Sequence, residues 1–134
     1  MGGAGGNKGR ILVVDDEVDF GEVMVEFLKS VGYTAAHAAD GPTALREVEV
    51  FQPHLVLLDV HMPGMDGLEV LRKLQEMDRK VGVIMVTALN DLAIGRNSLS
   101  LGAADFITKP VDLEYLETSV MAKIVAVMAE LGEG

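Results

Sequence analysis

Leu55-Val56-Leu57-Leu58 runs directly into a single carboxylate, Asp59, and Val60-His61-Met62-Pro63-Gly64-Met65-Asp66-Gly67 follows at once. An apolar run without alternation predicts a strand covered on both faces, as in a parallel sheet flanked by helices. Pro63-Gly64 marks a turn and Asp66-Gly67 a helix start. In open parallel sheets ligands gather at the carboxyl ends of the strands. Asp59 is therefore expected at the mouth of the sheet. A carboxylate inside the sheet would be costly; at the strand end it can stay ionised, bind a cation or act as a nucleophile.

The same grammar repeats along the chain. Arg10 to Val14 is a second apolar run, ended by Asp15-Asp16-Glu17. From Phe20 the residues Val23, Met24, Phe27, Leu28 and Val31 follow the helical repeat, and Gly32 fits the end of that helix. Thr34 to Ala38 predicts a weak strand, and Asp40-Gly41-Pro42 opens a helix burying Ala44, Leu45 and Val48 before Pro53. After Asp66 a helix buries Leu68, Leu71 and Leu74. Val83 to Val86 predicts a fourth strand delivering Thr87, and Asp105 to Thr108 a fifth delivering Lys109-Pro110. Between them Asp91 to Leu101 predicts a helix weakened by Gly95, Asn97, Ser98 and Ser100. Asp112 caps a last helix reaching about Leu131. Five strands alternating with five helices give right-handed crossovers and one doubly wound parallel α/β sheet.

Length and composition narrow the function. A chain of 134 residues, 49% hydrophobic, is one domain's worth with a proper core. A formal net charge of −10 argues against a direct grip on nucleic acid. Without cysteine there is no disulfide, thiol or Cys-zinc chemistry. No apolar run approaches a membrane span and no signal peptide is visible, so a cytoplasmic protein is expected. Residues 1–9 are too Gly-rich to pack and read as a flexible tail; residues 10–131 read as the folded unit.

On a parallel sheet all carboxyl ends face one side. Asp15 and Asp16, Asp59, Thr87 and Lys109 then converge on one cleft. Three clustered carboxylates repel and raise one another's pKa, and a hard divalent cation such as Mg²⁺ relieves that. Thr87 and Lys109 suit the remaining oxygens of a phosphoryl group on Asp59. Taken singly, Asp15 and Asp16 could merely cap the first helix, and Thr87 and Lys109 could be an ordinary strand-end threonine and a solvated lysine. Their joint placement is what points to chemistry. His37, His54 and His61 lack a ligand spacing and read as surface or strand-end histidines.

Val13-Val14-Asp15-Asp16-Glu17, Leu58-Asp59 through Gly67, Val86-Thr87-Ala88 and Gly102-Ala103-Ala104-Asp105-Phe106-Ile107-Thr108-Lys109-Pro110 carry a family resemblance. From Arg10 to about Leu131 the chain resembles the chemotaxis-regulator-like receiver domain of bacterial two-component response regulators. The resemblance implies a flavodoxin-like (βα)5 fold of strand order 2-1-3-4-5. It implies that Asp59 accepts a phosphoryl group from a sensor histidine kinase or phosphotransfer protein. Asp15, Asp16, Asp59 and the backbone carbonyl of His61 would hold Mg²⁺, while Thr87 and Lys109 would hold phosphate oxygens. The Lys109-Pro110 bond would be cis. Thr87 would move toward the phosphate, and Phe106 would turn from an outward rotamer, reshaping the surface of the fourth helix, fifth strand and fifth helix. Many relatives carry Tyr where Phe106 stands; without the hydroxyl the switch runs on burial. Such a domain is a signalling switch rather than a turnover enzyme. Its output passes to a downstream protein or to a domain outside this sequence, the latter if the receiver is excised from a larger regulator or hybrid kinase.

Rival readings meet specific objections. A haloacid-dehalogenase-like phosphatase would carry an Asp two residues after the nucleophile, where this chain has His61. A flavodoxin-like cofactor protein would need a Ser/Thr/Gly phosphate loop where Asp15-Asp16-Glu17 stands. A degenerate receiver would lack part of the intact five-residue set. Two local expectations follow from pattern alone. The fourth helix should be marginal. The last helix carries two apolar stripes, Val120, Ile124 and Val127, and Met121, Val125 and Met128. The second stripe predicts a homodimer or a neighbouring domain.

Overall fold

The computed structural model describes residues 8–133, the side chain of Leu89 excepted. The elements run β1 (Arg10–Val14), α1 (Val18–Ser30), β2 (Thr34–Ala38), α2 (Gly41–Phe51), β3 (Leu55–Asp59), α3 (Gly67–Gln75), β4 (Gly82–Ala88), α4 (Leu92–Ser100), β5 (Asp105–Lys109) and α5 (Leu113–Glu130). A single turn of 3₁₀ helix, Leu89–Asp91, links β4 to α4. All strand pairings are parallel, and the order is β2-β1-β3-β4-β5. This is the five-stranded flavodoxin-like fold expected above.

The unalternating apolar runs are strands packed on both faces. Leu12, Val14, Val56, Leu58, Val83 and Met85 face a core closed by Ala44 and Val48 of α2 and Val70, Leu71 and Leu74 of α3. Their neighbours Ile11, Val13, Leu55, Leu57, Ile84 and Val86 face the other core, closed by Met24 and Leu28 of α1 and Leu116, Val120 and Ile124 of α5. Each such side chain taken fully from water stabilises the fold by about 1.5–3 kcal/mol. Two helix faces differ from the sequence reading. Leu45 and Leu68 are only half-buried against the core, and Val70 takes the buried place on α3. A helix turn of 100° per residue sets Val70, Leu71 and Leu74 toward the sheet.

Aspartates set three helix starts. Asp40 accepts from the Thr43 N–H at 2.8 Å, Asp66 from Glu69 at 2.9 Å, and Asp112 from Glu114 at 3.0 Å. Of the residues read as a tail, Lys8 and Gly9 are described, and they bond to the turn before β2 and to its first residue. The Lys8 N–H donates to Gly32 and the Gly9 carbonyl accepts from Thr34. The remainder, residues 1–7, lies outside the described residues. No helix among the described residues is long and apolar enough to cross a membrane.

Candidate functional site

β1 and β3 are neighbours in register, Val14 opposite Leu58, so Asp15 and Asp59 leave the sheet side by side. Carboxylate oxygens of Asp15, Asp16 and Asp59 lie within 4.8 Å of one another. Asp15 is 1% exposed and Asp59 7%, whereas Asp16 faces solvent. Asp15 does not cap α1. Its Oδ1 accepts from the backbone N–H of Glu17 at 2.8 Å, and Glu17 occupies the cap position without a capping hydrogen bond. Asp15 Oδ2 is buried and has no aligned hydrogen bond, although the Lys109 ammonium stands 3.0 Å away.

The electrostatics follow from this crowding. Burial, then the charge of Asp15, pushes the Asp59 carboxyl up to about 6, with Asp16 adding to the rise. The Lys109 ammonium and the His61 backbone N–H oppose it. For Lys109, burial works against the charge. The bond to Glu17, the close Asp15 carboxylate and the charge of Asp59 outweigh it and hold the ammonium above its ordinary value. An all-oxygen set of three clustered carboxylates, Asp59 among them with a raised pKa, fits a hard divalent cation.

β4 and β5 bring the other two residues. Val86 lies opposite Asp59, which sets Thr87 one step beyond it, and Ala88 lies opposite Lys109. Thr87 is fully buried. Its hydroxyl donates to the carbonyls of Ala88 and Asp91 at 3.3 and 3.4 Å, both long for this kind of bond. The Lys109 ammonium donates to Glu17 Oε1 at 2.7 Å and lies 4.3 Å from the centre of the Phe20 ring. The Lys109-Pro110 peptide is cis.

Gly67 explains the last residue of the Met-Asp-Gly sequence. A Cβ there would run into the backbone carbonyl of Asp59 and the Cα of Val60. Only glycine lets α3 begin this close to the end of β3. His61 points outward, 62% exposed, with Nε2 2.8 Å from Asp91 Oδ2. Phe106 is half-buried and packs on α4, where a Cβ on Gly95 would stand 2.6 Å from its ring.

Sequence reasoning missed four participants. Glu17 and Phe20 hold Lys109, Asp91 meets both His61 and the Thr87 hydroxyl, and His37 donates from Nε2 to the Asp15 carbonyl at 2.8 Å. Glu17 alone gave a signal, as the third acid after β1. The other contacts depend on how distant segments align.

The family model described as "Response regulator receiver domain" matches residues 11–121. The chain belongs to this family. As a receiver domain it is a signalling domain of two-component systems, a class not built for turnover. It is 37% identical over 111 residues to the sporulation initiation phosphotransferase F of Bacillus subtilis (strain 168), covering 83% of this chain and 90% of that protein. It is 40% identical over 114 residues to the probable transcriptional regulator ycf27 of Cyanophora paradoxa, covering 85% of this chain but 47% of that protein. The receiver domain thus spans about half the length of several curated relatives. Among solved structures, the signal receiver domain of a putative LuxO repressor protein from Vibrio parahaemolyticus superposes with a TM-score of 0.85 at 30% identity, covering 94% of this chain and 98% of that one. A CheY-like receiver domain protein from Methanospirillum hungatei JF-1 gives 0.83 at 31% identity, covering 90% and 97%.

Proposed function

We propose that this receiver domain, residues 10–131, takes a phosphoryl group onto Asp59 from a histidine kinase or phosphotransfer protein and hands the signal to a partner or output domain. The observation that carries this reading is a buried strand-end carboxylate, Asp59, with two more carboxylates inside 4.8 Å and a lysine ion-paired to one of them. An ionised Asp59 oxygen attacks phosphorus in line with the departing imidazole nitrogen of the donor. The new O–P bond replaces the N–P bond, whose electrons leave with the imidazole. Lys109 and the Thr87 hydroxyl pair with oxygens of the transferred group, and the buried setting strengthens both contacts. Asp15, Asp16, Asp59 and the His61 carbonyl would hold Mg²⁺, which when bound neutralises the clustered negative charge.

The switch rests on Thr87 and Phe106. The Thr87 hydroxyl makes only long bonds to the loop after β4, so little holds it there. Its move toward phosphate would loosen that loop, and Phe106 on Gly95 would feel the change through α4. Phe106 already packs partly against the core in the unmodified chain, so phosphorylation would deepen a contact rather than create it. The outward face of α5, with Met121 and Val125 exposed, would meet a second copy of this chain or a neighbouring domain.

The test is intact-mass spectrometry after incubation with acetyl phosphate. A gain of about 80 Da is expected with Mg²⁺, absent with a chelator and absent in Asp59→Asn. No adduct on the native chain under any divalent cation would overturn the assignment.

A further inference from the structure

We infer that Glu17 and Phe20 form a berth that withholds the Lys109 ammonium from the phosphoryl group, making Glu17 a positioning residue that sets how readily Asp59 is modified. This deepens the phosphoacceptor reading and rests on it. Lys109 Nζ lies 2.7 Å from Glu17 Oε1 and 3.0 Å from Asp15 Oδ2, and sits 4.3 Å from the Phe20 ring centre. The three contacts are not equivalent. Asp15 belongs to the carboxylate cluster, and its oxygen has no aligned hydrogen bond to Lys109. Glu17 stands at the rim, 66% exposed, and takes the shortest, properly formed bond. The ring beneath the ammonium adds a cation–π attraction on the same side. Both come from the first turn of α1 and its cap position, so the berth is carried by a helix start next to β1.

A phosphate on Asp59 competes with Glu17 for the Lys109 ammonium. The phosphoryl oxygens must therefore outbid a carboxylate that is already bonded. An unpaired Glu17 left near the new dianion would also repel it. Both effects oppose modification; when Glu17 loses its charge the bond weakens and the repulsion disappears. A rim ion pair of this exposure corresponds to a change of about two- to fivefold.

The experiment compares the native chain with Glu17→Gln, Phe20→Leu and Asp19→Asn. Asp19 is an exposed neighbour on α1, so its replacement removes the same charge without touching Lys109. Beryllofluoride affinity with Mg²⁺ and the acetyl phosphate rate are measured on each. Glu17→Gln is expected to tighten the first and speed the second by about two- to fivefold. Phe20→Leu should move both in the same direction by less, and Asp19→Asn should change neither beyond about 1.5-fold at moderate salt. Equal effects of Glu17→Gln and Asp19→Asn would reduce the role to general charge and overturn the proposal. The Lys109 ammonium signal in ¹⁵N-detected spectra of the bare proteins separates the two readings. It should shift in Glu17→Gln and stay in Asp19→Asn. If that shift is seen while the native chain takes no phosphate, the phosphoacceptor reading has failed and the berth stands; if the signal is unmoved, the berth has failed whatever Asp59 does.

Discussion

Asp59 stands among more negative charge than positive, and its raised pKa has a consequence for stability. With a folded value near 6 against an unfolded one near 3.8, the native state holds the extra proton between those limits. Stability contributed by this protonation is present below about pH 4 and is lost as pH rises to about 6. Above that, the metal-free protein carries an ionised carboxylate in a cluster it would rather avoid. Asp59→Asn removes the charge and keeps the shape. In chelator at pH 7.5 its melting temperature should exceed that of the native chain by about 3–6 °C, the half-open cleft screening what would otherwise be a larger effect. At pH 4 the two should melt together, and the difference should also close when Mg²⁺ is added to the native chain. Equal melting temperatures at pH 7.5 without metal would mean that the cluster is not under electrostatic load.

Among the elements, the strands were legible in the sequence, and the expected weakness of α4 has a structural counterpart. Val13-Val14, Leu57-Leu58 and Val86 betray buried strands by composition alone, and each ends at a polar residue that must then lie at the rim. What pairs with that residue is decided by register. Val13 aligns with His37, so the β2 histidine reaches the Asp15 carbonyl, and no spacing in the chain announces it. His54 was likewise read as a surface or strand-end residue. It stands at the entry to β3 but is 1% exposed, its Nδ1 accepting from the Arg10 N–H and its Nε2–H donating to Glu133. In α4 the buried positions are Gly95 and Ser98, with Ile94 only half-buried, so the helix is fastened by little apolar area. Gly95 is there because the Phe106 ring lies where a side chain would be. Its cost to the helix is about 1 kcal/mol relative to alanine. Amide exchange in α4 should accordingly run at least about tenfold faster than in α1, where Met24 and Leu28 are buried, and should slow on beryllofluoride loading. Equal protection of α1 and α4 in the bare protein would remove the marginal-helix account.

Across the whole molecule the two ends of the sheet do different work. The carboxyl end gathers Asp15, Asp59, Thr87 and Lys109, whereas at the opposite end His54 ties the start of β1 to Glu133 just beyond α5, with Arg79 3.6 Å from the same carboxylate. α5 is thus anchored at its far end while its outward side stays open. Val120, Ile124 and Val127 are buried as one stripe; Met121 and Val125 are 56% and 63% exposed, and Met128 is half-buried against the core. Ala122, Ala126 and Ala129 are exposed beside them, and Glu130 is drawn toward Lys80 at 3.8 Å. In a chain of net charge −10 this side of α5 is nearly uncharged. Two copies can meet there without opposing like charges, while the rest of their surfaces repel. Association through an apolar face between like-charged bodies strengthens as salt screens the repulsion. Sedimentation equilibrium should therefore show weight-average mass rising with protein concentration, more so at 0.5 M than at 0.05 M salt, roughly as the Debye length shrinks. Met121→Glu with Val125→Lys should abolish the rise and leave the melting temperature within about 2 °C, since both side chains face solvent. A chain that stays monomeric at both ionic strengths, bare and beryllofluoride-loaded, would take self-association out of the reading and leave that face to a partner of different chemistry.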